Sequence, residues 1–157
     1  MKITEFERRL SDEDIAAFES KNNISLPTQY REFLLQYNGG TPYPNCCKTE
    51  SGVDVVVSRF LSIDAASNID DLDIRCWGSA WPADASSGMI QIGYDIGMQE
   101  IMLGVWGARR DEIYLIVGNN AHLCAKSFNE FISKLESRHG FLQDDSSAIL
   151  DRIFGAT

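Results

Sequence analysis

The chain has 157 residues and a formal net charge of −9, and 44% of its residues are hydrophobic. This is the composition of an ordinary globular protein and excludes a chain that is disordered throughout. The acidic excess is spread over both halves of the chain, so it disfavours binding to nucleic acid and would attract a basic partner. Solubility alone would also account for it.

The length predicts one domain over residues 1–157. The sequence from Met1 to Glu5 leads directly into polar and acidic residues, without the apolar core of a signal peptide. No apolar run is long enough to span a bilayer. We therefore expect a soluble, cytoplasmic protein with no membrane partner, and the sequence leaves its oligomeric state open.

Helical features begin the chain. Ile3, Phe6 and Leu10 recur at helical spacing. Ser11 is a typical N-cap and is followed by three acidic residues, which favour the first turn of a helix. Residues 22–23 are both asparagine and end this helix.

The stretch LPTQYREFLLQYNGG, residues 26–40, contains a second amphipathic helix. Pro27 suits its first turn, and residues 30, 33, 34 and 37 form one apolar stripe. Asn38, Gly39 and Gly40 tolerate positive φ and therefore predict a helix C-cap. A phosphate-binding loop is excluded, because such loops precede a helix and this one follows it.

Alternating apolar residues predict strands over residues 53–61, 89–94, 101–105 and 113–117. Their short connections favour antiparallel neighbours, although mixed pairing stays open. Ser127 and Glu130 predict a capping box for a helix over residues 128–135. A further amphipathic helix is predicted at about 144–154. The fold class is thus α+β, with a sheet meander flanked by N- and C-terminal helices.

Chemically reactive residues form no recognisable catalytic or metal-binding motif. Cys46, Cys47, Cys76 and Cys124 include no CxxC pair, and reduced buried thiols explain them better than a zinc site. His122, assigned to a loop, lies two residues from Cys124 but lacks a third orienting group. Nucleotide-binding, hydrolase and metalloprotease motifs are absent. We expect no enzyme activity, no cofactor and no metal.

Carboxylates are the candidates for binding a basic partner. A cluster at residues 70–73 lacks the glycine and distant glutamate of a calcium loop, so it is either a solvated face or part of a partner-binding surface. Trp77 and Trp81 either cap the core under a loop or form an exposed binding rim. The candidate partner-binding residues are Asp70, Asp71 and Asp73, with Asp64, Asp111 and Glu112 as lesser ones.

The stretch ISLPTQYREFLLQYNGGTP resembles the hallmark of the SUKH superfamily, the Smi–Knr type domain. IGYDIGMQEIMLGV and SFNEFISKL are similar to its central strand–turn–strand and its closing helix. Met98 stands where the family often has glycine, and the helix at 144–154 is a further departure. The matching signature residues are Leu26, Pro27, Tyr30, Phe33, Leu34, Asn38, Gly39 and Gly40, and the resemblance implies that they are structural.

The resemblance implies an α+β domain without catalytic residues. Many bacterial members are immunity proteins that bind and neutralise polymorphic toxins, often nucleases, and a nuclease is the expected class of partner here. The alternative is an intracellular scaffold or regulatory module without a toxin partner, as in the fungal branch of the family.

Overall fold

An antiparallel sheet with helices against it forms the fold of the computed structural model, which describes residues 1–64 and 88–137. The helices are α1 (Asp12–Asn22), α2 (Thr28–Gln36) and α3 (Phe128–Lys134). The strands are β1 (Lys2–Thr4), β2 (Thr41–Tyr43), β3 (Cys46–Lys48), β4 (Asp54–Phe60), β5 (Met89–Asp95), β6 (Glu100–Gly104), β7 (Ile113–Val117) and β8 (Asn120–Ala125).

Strands β3 to β8 form one six-stranded sheet in which spatial order follows chain order, and β1 pairs with β2 in a separate ribbon. Every strand pair is antiparallel, so the predicted meander is confirmed and no mixed pairing occurs among the described strands. The prediction of flanking helices is also confirmed, with α1 and α2 before the sheet and α3 after it. The helix predicted at 144–154 lies outside the described residues.

Local capping explains where α1 begins and ends. The Ser11 side chain accepts a hydrogen bond from the Asp14 amide at 3.1 Å, and the Asp14 carboxylate accepts one from the Ser11 amide at 2.9 Å. This reciprocal capping box satisfies amides that would otherwise lack partners at the helix start. Asn23 adopts the left-handed conformation at the C-terminal end. Helix α3 forms only half of its predicted capping box: Ser127 accepts from the Glu130 amide at 3.2 Å, whereas the Glu130 carboxylate accepts from the Lys126 amide at 3.2 Å and not from the Ser127 amide.

The main core lies between the helices and one face of the sheet. Alternate residues of the central strands point to this face, as the two-residue period of a strand requires. On the other face, Met89, Met102, Tyr114 and Ile116 form a smaller buried cluster. The side chains that fill the main core include Ile15, Phe18, Leu34, Val57, Phe60, Ile92, Ile101, Leu103, Leu115, Phe128 and Phe131.

The sheet curls until its two outer strands approach each other. The Glu50 amide, just after β3, donates to the Leu123 carbonyl of β8 at 2.7 Å. The Lys134 ammonium donates to the Glu50 carboxylate at 3.0 Å and to the Cys124 carbonyl at 2.8 Å. Exposed edge strands invite pairing with other chains, and these contacts occupy part of each edge.

Two local predictions are wrong, and β3 is among the strands that were missed. Residues 3–10 have apolar residues at helical spacing but form no helix, because residues 2–4 are the strand β1 and pair with β2. Strand β3 was not predicted, because three residues are too few to show a period. His122 is not in a loop: it lies in β8, opposite Leu115.

Candidate partner-binding surface

Asn38 joins three chain segments through its side chain. Its amide group donates to the Arg8 carbonyl at 3.0 Å and to the Ile63 carbonyl at 2.7 Å, and its oxygen accepts from the Ile63 amide at 2.9 Å. Its main-chain carbonyl accepts from the Glu7 amide at 3.0 Å. The residue is buried, so every side-chain hydrogen bond replaces one that water would have made. Its role is to hold these segments together.

Gly39 and Gly40 have φ angles of 78° and 104°, as the prediction of positive φ requires. The two glycines do not form the predicted C-cap, because the residue that caps α2 is Tyr37, in extended conformation. A Cβ atom on Gly39 would lie 2.8 Å from the Ser62 amide nitrogen, and one on Gly40 would lie 2.6 Å from an Ile3 side-chain carbon. Glycine is needed because neighbouring chain segments pass too closely for any side chain.

The other signature residues form a buried aromatic cluster. The ring of Phe33 lies 5.2 Å from that of Phe60 and 4.9 Å from that of Phe128, measured between centroids. Tyr30 also contacts Phe128, at 5.4 Å, and burial raises the pKa of its hydroxyl above the usual value. Leu26 and Pro27 are buried at the start of the same helix. These residues build the core and offer no group to a ligand.

The thiols and the histidine also lack the arrangement of a reaction centre. Burial raises the pKa of the Cys47 thiol to about 12 and also raises that of Cys124, so both resist forming the reactive thiolate. His122 Nδ1 lies 2.9 Å from the Ser51 hydroxyl. Within residues 1–64 and 88–137, no group of three or more His, Cys, Asp or Glu side chains could hold a metal ion.

The candidate carboxylates are in different settings. Asp64 is exposed and borders a small cavity of about 280 Å³ together with Glu7 and Arg8. Asp111 is exposed in the turn between β6 and β7 and borders a separate cleft of about 190 Å³. These two cavities share no lining residue, so the structure does not gather the two carboxylates at one site. Asp70, Asp71 and Asp73 lie outside the described residues, as do Trp77 and Trp81.

Glu112 is occupied by its neighbours. Its carboxylate accepts a hydrogen bond from the Tyr114 hydroxyl at 2.5 Å and lies 3.6 Å from the Arg109 guanidinium. Arg109 in turn donates to the Tyr114 hydroxyl at 2.8 Å. Burial and the adjacent carboxylate raise the pKa of Tyr114, so its hydroxyl stays protonated as a donor. This network leaves Glu112 less available to a partner than Asp111.

Trp106 is the candidate contact residue that the sequence did not single out. The residue is 40% exposed, although tryptophan is usually more buried. It borders a groove of about 790 Å³ whose other wall is the C-terminal turn of α1 and the residues that follow it. The sequence placed Trp106 only at the end of an alternating strand, so nothing local indicated that a distant helix would complete a groove beside it.

None of the three helices in the described ranges has the length and hydropathy of a membrane span. The profile of the SMI1 / KNR4 family (SUKH-1) matches residues 9–134. No curated protein and no solved structure matches the chain significantly. The matched range begins just before α1 and ends with α3, so it includes the Asn38 junction and all six strands of the main sheet.

Proposed function

Because the chain belongs to the SMI1 / KNR4 family (SUKH-1), we propose that it is an immunity protein that binds and neutralises a cognate toxin. The family match over residues 9–134 is the observation that carries this proposal. The structure supports it indirectly, because the signature residues pack and hydrogen-bond within the fold. Their role is to hold a domain that presents its surface to a partner. In this proposal the protein acts by stoichiometric contact with the toxin, in the cytoplasm, and without catalysis.

The proposed toxin is a nuclease whose cleft is basic because it must hold phosphates. The net charge of −9 favours association with such a cleft. Electrostatic steering can raise association rate constants to ~10⁸–10⁹ M⁻¹s⁻¹ at low salt. An anionic surface that occupies the cleft would also exclude the substrate. The proposed contact residues are Asp70, Asp71, Asp73, Asp64, Asp111 and Glu112.

Co-expression tests the proposal most directly. The chain would be expressed with the toxin domain encoded next to its gene, and cell survival and co-purification would be scored. We expect survival, a one-to-one complex, and an affinity that falls as salt rises, because rim charges are screened. Death of the cells with no complex formed would contradict the immunity role and favour a scaffold or regulatory module.

Replacing Asp70, Asp71 and Asp73 together by asparagine tests the carboxylate cluster. We expect slower association with the toxin domain and a weaker dependence on salt, because three charges that steer the encounter are removed. The matched control replaces Asp12, Glu13 and Glu32, which are exposed on α1 and α2, by Asn, Gln and Gln. Equal effects of the two triple variants would show that net charge acts without a defined site.

A further inference from the structure

Two short connections lie side by side at one end of the molecule. One is the α1–α2 loop, residues 23–27, and the other is the β6–β7 turn, residues 105–112. The Arg110 guanidinium joins them, because it donates to the Ser25 carbonyl at 2.8 Å and to the Val105 carbonyl. We call these two connections together the turn surface. Residues of both connections line the groove beside Trp106 and the cleft beside Asp111.

Trp106 provides the turn surface with an exposed aromatic ring on a firm support. A Cβ atom on Gly88 would lie 1.8 Å from a ring carbon of Trp106, so the ring packs directly against that main chain. Among the described residues, the indole N–H has no hydrogen-bond partner. Tryptophan is enriched among the residues that dominate binding energy at protein interfaces. A ring held in place in this way loses little entropy when a partner binds.

Asp111 provides an available negative charge. Its carboxylate makes no ion pair or side-chain hydrogen bond with any residue in the described part of the chain. Its main chain is held at a φ of 77°, and its amide donates to the Gly104 carbonyl at 3.0 Å. Left-handed backbone at a residue other than glycine is uncommon and concentrates at functional sites. The turn therefore fixes the direction in which the Asp111 side chain leaves the main chain.

The cationic side chains near the turn surface have hydrogen-bond or ion-pair partners, with one exception among the described residues. Arg110 binds two carbonyls, Arg109 pairs with Glu112, and Arg31 pairs with Glu19. The exception is Lys126, which borders the same cleft as Asp111 and has no ion pair in the described ranges. The groove wall opposite Trp106 is the carboxyl end of α1, where the helix dipole places partial negative charge.

We propose that the turn surface is the docking site for a basic segment of the toxin, which places one arginine or lysine side chain over Trp106 in the groove and a second beside Asp111 in the neighbouring cleft. This inference rests on the proposed function. The ring face of Trp106 attracts a cation, the dipole of α1 adds partial negative charge to the same groove, and the Asp111 carboxylate supplies an acceptor in the cleft. The overall charge of −9 draws a basic segment toward the molecule, and the groove decides where it docks.

Binding of a single cationic side chain can be measured without the toxin. N-acetyl-arginine amide would be titrated into the purified chain and followed by NMR, with the isosteric but uncharged N-acetyl-citrulline amide as the matched probe. We expect shifts at the Trp106 indole N–H and the Asp111 amide with the arginine probe only. The indole signal is assigned by its loss in Trp106→Phe. Equal shifts with both probes, or shifts spread over other acidic surfaces, would overturn the proposal.

Three variants test the separate contributions of Asp111, Trp106 and Lys126 to binding of the arginine probe. Asp111→Asn keeps a side chain that tolerates left-handed backbone and should weaken arginine-probe binding roughly two- to fivefold. Trp106→Phe should weaken it by a similar factor. Lys126→Gln should strengthen binding, because it removes a competing cation. Thermal unfolding of each variant confirms that it is folded. Unchanged affinity in all three variants would also contradict the docking site.

The same variants separate this inference from the proposed function. If the toxin domain is neutralised and Asp111→Asn and Trp106→Phe bind it as tightly as the parent chain does, the immunity role stands and the docking site is wrong. If both variants lose toxin affinity while Glu32→Gln, an exposed control on α2, does not, the docking site is supported. If no toxin is neutralised, the proposed function fails, whatever the arginine probe shows.

Discussion

At the scale of single residues, the signature stretch acts through close approach and hydrogen bonding. Asn38 satisfies two carbonyls and one amide from segments distant in sequence, and Gly39 allows the chain to pass the main chain of residues 61–62. Because these are packing roles, replacing the residues should change stability before it changes any binding property. Gly52 offers a matched comparison for Gly39, since it also has positive φ but lies in open space.

We expect Gly39→Ala to be far more destabilising than Gly52→Ala. Both substitutions place alanine in left-handed backbone, at φ angles of 78° and 87°, which costs about 1–2 kcal/mol. Only Gly39→Ala also forces a Cβ atom against the main chain of residues 61–62, which adds about 1–3 kcal/mol. Urea denaturation followed by circular dichroism measures both. Equal losses of unfolding free energy in the two variants would mean that the positive φ alone explains why residue 39 is glycine.

At the scale of elements, α1 shows how a local cap acquires a pH dependence. The pKa of Asp14 lies below its usual value of 3.8, first because its carboxylate accepts a hydrogen bond from the Ser11 amide and next because Arg8 pairs with it. Since the folded-state pKa is lowered, ionised Asp14 stabilises the fold above pH 3.8, and this contribution is lost as the pH falls through the lowered pKa.

Asp14→Asn should therefore destabilise the protein at neutral pH, where the charged group supports the start of α1 and pairs with Arg8. The difference in unfolding free energy between the parent and the variant should shrink as the pH falls below the usual value of 3.8. Thermal unfolding at a series of pH values measures this difference. A difference that stays constant down to the lowest pH would assign the effect to side-chain shape instead of charge.

At the scale of the whole molecule, the net charge opposes compactness as well as favouring a basic partner. The ion pairs of the described residues are mostly exposed at one or both partners, as in Lys48 with Asp54, so each contributes little. We expect the melting temperature to rise when sodium chloride is added at neutral pH, because screening reduces repulsion among the excess carboxylates. A fall would show that attractive pairs such as Arg31 with Glu19 outweigh the repulsion.

The sequence alone determined the elements whose signals are local. The Ser11 cap and the asparagines at 22–23 located α1, and alternation located β4 to β7, because capping and burial of one face act within a few neighbouring residues. The order of these elements predicted the α+β class, and the family resemblance in residues 24–42 implies the same fold class. Short strands such as β1 and β3 were missed, because they owe their conformation to a partner strand and not to a period of their own.

Only the tertiary structure decided what lies beside each candidate residue. Glu112 and Asp111 are adjacent in sequence and equally acidic, yet one is held by Tyr114 and Arg109 while the other has no ion pair in the described ranges. Trp106 borders a groove because the β6–β7 turn folds against the loop after α1, about eighty residues earlier in the chain. Charge and residue type are properties of the sequence, whereas pairing and exposure depend on which distant segments the fold brings together.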